Sequence, residues 1–239
     1  MTPIVAIALF AAALSAVAPV SQTDDRCNAR AGVAGLPLIE LPVAKAGGRF
    51  AIMISGDGGW RRIDTKVTGR LRDAGVPVVG FLAPEYFATL RTADESACAL
   101  ERIIRTYRVR WKREKVLLIG YSRGADVLPF MVSRLSPDVR QSVEVIALLG
   151  LERTIDFRYH PSWIPFYHPK EKQYQVLPEV EKLRGQTVLC FHGAREKDSL
   201  CRQLDRAAFT VIAEPGGHHF AGRYDDIAAA ILAARKGKR

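Results

Sequence analysis

A short motif at residues 120–124 constrains the fold more than any other part of the sequence. Its residues are Gly-Tyr-Ser-Arg-Gly, and they stand between the apolar run 116–119 and a helix-compatible segment that begins at Ala125. Glycines on both sides of the serine keep side chains out of the crowded space around a sharp, strained turn. The serine hydroxyl is then exposed at a helix N-terminus, where backbone N–H groups favour negative charge. This pattern predicts a strand–turn–helix junction with Ser122 as a catalytic nucleophile.

Short apolar runs alternate with longer amphipathic stretches along the rest of the chain. This alternation is typical of the α/β class, with a mainly parallel sheet and helices on both faces. The composition agrees, because 48% hydrophobic and 25% charged residues in a chain of 239 exclude a disordered, fibrous or polytopic membrane protein. The predicted strands are 36–43, 50–54, 76–82, 116–119, 143–149, 187–191 and 209–212, and the predicted helices are 63–73, 93–107, 125–135 and 227–234.

A serine nucleophile needs a general base, and two histidines follow the last predicted strand in Gly-Gly-His-His-Phe at 216–220. The order serine, acid, histidine along the chain matches the α/β-hydrolase arrangement, in which the histidine lies on the final loop. Many hydrolases of this type end in Gly-x-x-His-Phe. That spacing favours His219 as the base and leaves His218 as the alternative.

The acid of such a triad is expected after the strand 187–191, where Glu196 and Asp198 are candidates. Glu196 lies three residues after the turn glycine, where many hydrolases carry their acid. Asp198 lies in a loop that a disulfide between Cys190 and Cys201 would hold, and this resembles the disulfide-bounded catalytic loop of cutinases. We favour Asp198, because an acid that fixes the histidine tautomer must itself be held rigidly.

Acyl transfer also needs an oxyanion hole, a set of hydrogen-bond donors around the tetrahedral intermediate. One donor is expected from the backbone N–H of Arg123, directly after the nucleophile. The second is expected from the glycine-rich turn 55–60, with Asp57 favoured and Gly58 as the alternative. Since this turn lacks the Gly-Lys-Ser/Thr ending of a phosphate-binding loop, we interpret it as part of a hydrolase site.

The ends of the chain differ from its centre. Residues 1–21 form an uncharged, apolar stretch that is typical of a signal peptide and predicts export to the periplasm. Residues 22–234 then form a single domain, and residues 235–239 form a basic tail. Within the domain, the aromatic and proline-rich segment 152–180 lacks periodicity and is interpreted as a short cap or lid.

Four cysteines lie in the exported part, and an even count in an oxidising compartment predicts two disulfides. Three pairings are possible, and the sequence does not choose among them. We favour Cys190 with Cys201, which closes a short local loop and leaves Cys27 for Cys98. No cysteine or histidine spacing fits a metal site, and neither a metal nor a cofactor is predicted.

Several of these motifs together resemble the bacterial VirJ/AcvB virulence-protein family. The segments that carry the resemblance are Ser-Gly-Asp-Gly-Gly-Trp at 55–60, Gly-Tyr-Ser-Arg-Gly-Ala-Asp-Val-Leu-Pro-Phe at 120–130, Ala-Leu-Leu-Gly-Leu at 147–151, Lys-Asp-Ser-Leu-Cys at 197–201 and Gly-Gly-His-His-Phe at 216–220. In length the chain resembles the single-domain, VirJ-like members. The resemblance implies a periplasmic serine hydrolase.

The resemblance also implies a substrate, because AcvB-type members are associated with hydrolysis of lysyl-phosphatidylglycerol, an aminoacylated phospholipid. Asp126, one helical turn after Ser122, is then a candidate contact for the lysyl ammonium group. Two alternatives stay open. One is a general lipase or esterase with the same triad, and the other is a non-catalytic periplasmic factor that assists type IV secretion through secretion-system proteins.

The formal net charge of +10 favours an anionic partner. Basic residues concentrate in the tail 235–239 and in the segment 102–115, which precedes the catalytic strand and is therefore expected at the edge opposite Ser122. The sequence carries no nucleic-acid-binding motif, and export argues against that class of partner. We interpret the charge as a surface that contacts an anionic membrane.

Overall fold

The computed structural model describes Cys27 and residues 32–45, 47–159 and 173–235. The strands in chain order are β1 (Leu38–Leu41), β2 (Arg49–Ile54), β3 (Val78–Phe81), β4 (Lys115–Tyr121), β5 (Val143–Leu149), β6 (Thr154–Ile155), β7 (Tyr174–Gln175), β8 (Val188–Gly193) and β9 (Thr210–Glu214). The helices are α1 (Arg62–Asp73), α2 (Ala83–Tyr86), α3 (Ala93–Trp111), α4 (Arg123–Ser133), α5 (Pro137–Ser142), α6 (Leu177–Glu181) and α7 (Tyr224–Ala233). Two 3₁₀ segments cover Leu200–Gln203 and Phe220–Gly222.

Seven strands form one sheet in the order β1-β3-β2-β4-β5-β8-β9. The pairings from β3 to β9 are parallel, and β1 joins β3 antiparallel at one edge. Strand β4, which leads to the serine motif, therefore lies in the middle of the sheet. All seven predicted strands occur in this sheet, so the predicted α/β architecture is confirmed.

Helices cover both faces of the sheet. Ile52 and Leu118 belong to the core under α3 and α4, whereas Met53 and Ile119 belong to the core under α1 and α7. All four side chains are fully buried. Burial on both faces explains why β2 and β4 are continuous apolar runs in the sequence, since neither strand has a side that faces water.

The longer helices follow the predicted pattern of apolar residues. In α1, Ile63, Val67 and Leu71 recur every four residues and are buried against the sheet. The next long helix, α3, begins with a capping box in which Thr92 and Glu95 each accept a backbone hydrogen bond from the other. The short elements α2, α5, α6, β6 and β7 were not predicted, because two to six residues carry too little periodicity to detect.

Two disulfides join Cys27 to Cys98 and Cys190 to Cys201, as predicted. The first attaches Cys27 to α3. The second connects β8 to the 3₁₀ segment that follows it, with 5.5 Å between the Cα atoms. Such bonds persist in oxidising compartments, which agrees with export.

Three sequence predictions fall partly or wholly outside the described residues. They are the signal peptide 1–21, tail residues 236–239 and the central part of the expected cap, 160–172. The described flanks of the expected cap pair as β6 and β7, and Phe157 and Tyr174 pack there edge to face. Within the part of the chain that the structure describes, no helix is long and apolar enough to cross a bilayer.

Candidate active site

Ser122 lies on a sharp turn between β4 and α4. Its φ of 52° is in the left-handed region that non-glycine residues rarely adopt. The two flanking glycines have no room for a side chain, because a Cβ on Gly120 would overlap the carbonyl oxygen of Gly124, and a Cβ on Gly124 would overlap that of Ile54. A strained residue held this firmly is typical of a functional position.

The glycine-rich turn that follows β2 packs directly against this serine. A Cβ on Gly56 would lie 3.1 Å from the Cβ of Ser122. The turn is closed by a hydrogen bond from the Gly59 N–H to the Gly56 carbonyl oxygen at 3.0 Å, and Gly59 has a φ of 72°. Among the described residues, no backbone carbonyl accepts from the N–H of Asp57 or of Arg123, the two expected oxyanion donors.

The side chain of Arg123 connects this turn to the segment after β5. It is 7% exposed and donates to both oxygens of the Asp57 carboxylate. It also donates to the Asp156 carbonyl oxygen at 2.9 Å and to the Asp156 carboxylate at 3.4 Å. Arg123 therefore fixes the position of the turn relative to the nucleophile.

The two neighbouring histidines after β9 have different partners. His218 Nδ1 lies 2.7 Å from Glu196 Oε1, and the other oxygen of Glu196 accepts the Gly193 N–H at 2.5 Å. In contrast, His219 Nδ1 lies 2.8 Å from the hydroxyl oxygen of Tyr121. Burial raises the pKa of the Tyr121 hydroxyl well above its ordinary range, so this group stays neutral at physiological pH.

Asp198, which the sequence favoured as the acid, lies away from both histidines. Its side chain is 93% exposed and lies 3.6 Å from Arg153 Nη2. The reason is a turn directly after β8, in which the Glu196 N–H donates to the Gly193 carbonyl oxygen at 2.9 Å. That turn directs Glu196 back over the end of β8, while Asp198 lies further along in solvent.

Asp126, the candidate ammonium contact, is buried under the site. Its Oδ1 accepts the Glu152 N–H at 2.8 Å, and burial raises the pKa of its carboxyl group well above the ordinary value. Asp126 is not among the residues that line the cavity described below. Its hydrogen bond instead holds the backbone of Glu152.

Glu152 is a site residue that the sequence did not indicate. Oxygen or nitrogen atoms of Glu152, Glu196 and His218 lie within 4.8 Å of one another, a spacing that could hold a metal ion. Since Glu196 and His218 already form a direct hydrogen bond, we interpret the three residues as an acid–base cluster and not as a metal site. Its position in the sequence could have indicated this role, because Glu152 follows β5 at the carboxyl edge of the sheet, where ligands of parallel sheets bind.

The nucleophile and both histidines line one cavity of about 380 Å³. Every loop that contributes follows the carboxyl end of a parallel strand, as expected for this architecture. Among the described residues, the Ser122 hydroxyl makes no hydrogen bond to either histidine. The lining residues are Gly56, Asp57, Gly58, Gly59, Arg61, Arg62, Ile63, Tyr121, Ser122, His218, His219 and Tyr224.

The basic segment 102–115 lies at the opposite edge of the sheet, because Lys115 begins β4 and Ser122 follows its end. Most of its arginines are paired. Arg105 contacts Glu101 and Asp138, Arg108 contacts Glu114, and Arg110 contacts Glu40. The segment is therefore less positive than its sequence indicates.

Comparisons with known proteins support this architecture. The family described as Bacterial virulence protein (VirJ) matches residues 48–239. Among solved structures, the chain is similar to the esterase Pf2001 from Pyrococcus furiosus, with a TM-score of 0.59, 13% identity and coverage of 84% of this chain and 91% of that one.

It is also similar to Est1E from Butyrivibrio proteoclasticus (TM-score 0.56, 11% identity, 83% and 95% covered) and to MenH from S. aureus (TM-score 0.55, 11% identity, 82% and 97% covered). A comparison with curated proteins finds no match. At these identities the likeness shows the α/β-hydrolase fold, and it leaves the chemistry to the site itself.

Proposed function

The chain belongs to the bacterial virulence protein (VirJ) family, and from the geometry of its site we propose that it is a serine hydrolase that cleaves carboxylic esters. One observation carries the proposal. His218, which is hydrogen-bonded to Glu196, lines the same cavity as Ser122, which stands on a strained strand–helix turn. A carboxylate, an imidazole and a serine hydroxyl are the three parts of this chemistry.

We assign His218 as the general base and Glu196 as the acid. The sequence favoured His219 and Asp198 for these roles, but the contacts in the structure favour the alternatives His218 and Glu196. Glu196 is held by the Gly193 N–H and meets His218 Nδ1, which leaves His218 Nε2 for the proton of the serine. Within the described part of the chain, Asp198 pairs with Arg153 and with no histidine, and His219 meets a neutral hydroxyl.

The reaction follows from these positions. Ser122 Oγ attacks the ester carbonyl carbon while His218 takes its proton, and the N–H groups of Arg123 and Asp57 stabilise the oxyanion. The tetrahedral intermediate collapses, the alcohol leaves with the proton from His218, and an acyl-enzyme remains. Water, deprotonated by His218, then attacks the acyl carbonyl. The second tetrahedral intermediate collapses, His218 returns the proton to Ser122 Oγ, and the free acid leaves.

We further propose that the acyl group is an amino acid and that the substrate is lysyl-phosphatidylglycerol. The carboxylate of Glu152 supports this, because it is exposed and lies beside the His218–Glu196 pair. An ammonium group on the acyl side would form a charge-assisted hydrogen bond there. Glu152 takes the role expected of Asp126, which instead positions it.

We place the protein in the periplasm, at an anionic membrane surface. The two disulfides suit an oxidising compartment. Because the arginines of the segment 102–115 are largely paired, membrane attachment is assigned mainly to the basic tail 235–239.

The test is release of free lysine from vesicles that contain lysyl-phosphatidylglycerol, measured by mass spectrometry. We expect wild-type protein to release lysine and Ser122→Ala to lose more than about 10³-fold in rate. Ser133→Ala, a serine at the other end of the same helix, is the matched control and keeps its activity. Release of fatty acid instead of lysine would identify a general lipase, and equal activity of Ser122→Ala would contradict the serine mechanism.

A further inference from the structure

Two arginines at the start of α1 line the same cavity as Ser122. Arg61 and Arg62 are both exposed, and neither guanidinium has an ion-pair partner among the described residues. Arg61 also lies against the oxyanion turn, since a Cβ on Gly58 would be 3.2 Å from Arg61 Nε. Neither residue has a part in the reaction steps described above.

These charges are not neutralised by the acidic groups around them. Asp57, which also lines the cavity, is bound to Arg123. Asp64 is buried, and one of its oxygens accepts the backbone N–H of Arg61 rather than its side chain. The Arg70 side chain on the same helix pairs with Asp225 at 2.8 Å, so the unpaired state of Arg61 and Arg62 is not general for this helix.

Positive charge beside the nucleophile restricts which part of a substrate can lie there. Arg61 and Arg62 would repel an ammonium group, whereas Glu152, which lies near His218 and does not line this cavity, would attract one. The N-terminal end of the twelve-residue helix α1 adds a positive partial charge at the same place. The cavity thus carries positive charge at the start of α1, and the negative charge of Glu152 lies near His218, outside the lining.

We propose that Arg61 and Arg62 bind a phosphate or phosphodiester on the alcohol side of the ester. Guanidinium groups bind phosphate oxygens with two parallel hydrogen bonds, which fixes the orientation of the group. The proposal rests on the proposed ester hydrolysis and adds the orientation in which the ester binds. The acyl group lies toward Glu152, and the phosphate-bearing leaving group lies over the start of α1.

The experiment compares two soluble esters with the same acyl group, one of glycerol and one of glycerol 3-phosphate, with acetyl and lysyl pairs tested in parallel. For wild-type protein we expect kcat/KM to be about tenfold or more higher for the phosphate-bearing ester. In the Arg61→Gln/Arg62→Gln double variant the ratio of the two kcat/KM values falls toward one. Rising salt concentration reduces the wild-type ratio as well.

Arg72→Gln is the matched control, because Arg72 is an exposed arginine in the last turn of the same helix. It keeps the wild-type ratio. An equal kcat/KM for the two esters in wild-type protein, or an unchanged ratio in the double variant, overturns the phosphate subsite while ester hydrolysis stands.

Failure of the proposed function gives a different result, in which wild-type protein cleaves neither ester. Calorimetric titration with glycerol 3-phosphate then tests the phosphate subsite without turnover. The subsite is supported if wild-type protein binds this ligand and the double variant does not. It is overturned if wild-type protein does not bind the ligand.

A competition arm separates a lipid source of the phosphate from a soluble one. Phosphatidylglycerol vesicles and glycerol 3-phosphate are each added to the assay with the glycerol ester. Stronger competition by vesicles supports a lipid headgroup in the subsite, and stronger competition by glycerol 3-phosphate supports a soluble phosphate ester. No competition by either one overturns the proposal.

Discussion

His218 and His219 are adjacent on one loop, yet they lie in opposite electrostatic surroundings. His218 Nδ1 meets the Glu196 carboxylate at 2.7 Å, and His219 Nδ1 meets the Tyr121 hydroxyl at 2.8 Å. A carboxylate stabilises a protonated imidazole, whereas a neutral hydroxyl offers little such stabilisation. The partner of Nδ1, more than the spacing in the Gly-Gly-His-His-Phe motif, therefore distinguishes the general base from the neighbouring histidine.

Asp64 is a second ionisable group on this side, and its charge acts on the Tyr121 hydroxyl. Asp64 is fully buried in α1, and burial raises the pKa of its carboxyl group to about 6. Its Oδ1 has no hydrogen-bond partner among the described residues. Tyr121 is therefore a neutral neighbour of His219, and Asp64 is neutral only below about pH 6, whereas Glu196 forms an ion pair with a protonated His218.

The largest expected effect comes from removing the carboxylate that distinguishes His218. Glu196→Gln keeps the shape of the side chain but loses its charge, and we expect kcat to fall by about 10³- to 10⁴-fold. Asp198→Asn is the matched control, because among the described residues this exposed carboxylate pairs with Arg153 alone, and its kcat stays within about threefold of wild type. A larger loss in Asp198→Asn than in Glu196→Gln would restore Asp198 as the acid.

A smaller effect is expected on the free energy of unfolding, through the buried carboxyl group of Asp64. The native state holds the Asp64 proton up to about pH 6, whereas the unfolded chain releases it near pH 3.8. The native state therefore binds more protons across this window, so stability falls as pH rises from about 4 to 6, by at most about 3 kcal/mol.

Asp64→Asn removes this titration, and its free energy of unfolding should change less between those two pH values than that of wild-type protein. Urea denaturation at several pH values measures the difference. Only the change in the free energy of unfolding with pH is compared between the two proteins, because the substitution itself alters the buried side chain. Parallel pH curves for the two proteins would show that Asp64 is ionised in the fold throughout.

The smallest effect is expected from the partner of His219. Tyr121→Phe removes one hydroxyl and its hydrogen bond to Nδ1, and we expect a loss of about 1 kcal/mol in stability. Since His219 is not assigned as the base, kcat should stay within about fivefold of wild type. A fall in kcat as large as that of Glu196→Gln would exchange the roles of the two histidines.

Sequence analysis predicted the fold more completely than the site. The seven strands and the turn at Ser122 follow from patterns within short windows, where burial on both faces makes each strand continuously apolar. Both disulfides were also predicted, and the short loop from Cys190 to Cys201 guided that choice. Arg61, Arg62 and Glu152 were missed, because an isolated charged residue has no periodic signal.

The spacing of residues in the sequence also could not show whether Glu196 or Asp198 is the acid. Both residues follow β8 within five positions, and either can reach a histidine in an extended loop. The turn that joins the Glu196 N–H to the Gly193 carbonyl oxygen decides between them. Its effect depends on where the loop after β9 places His218, which is a long-range contact.

Local patterns in the amino-acid sequence were enough to predict the α/β architecture, the position of the serine turn and a short disulfide loop between Cys190 and Cys201. These features depend on local sterics and on the burial of continuous apolar runs. Tertiary contacts specify which histidine meets a carboxylate and which arginines around the nucleophile lack an ion-pair partner among the described residues. Those properties depend on contacts between loops far apart in the chain, since burial and neighbouring charges set the state of each ionisable group.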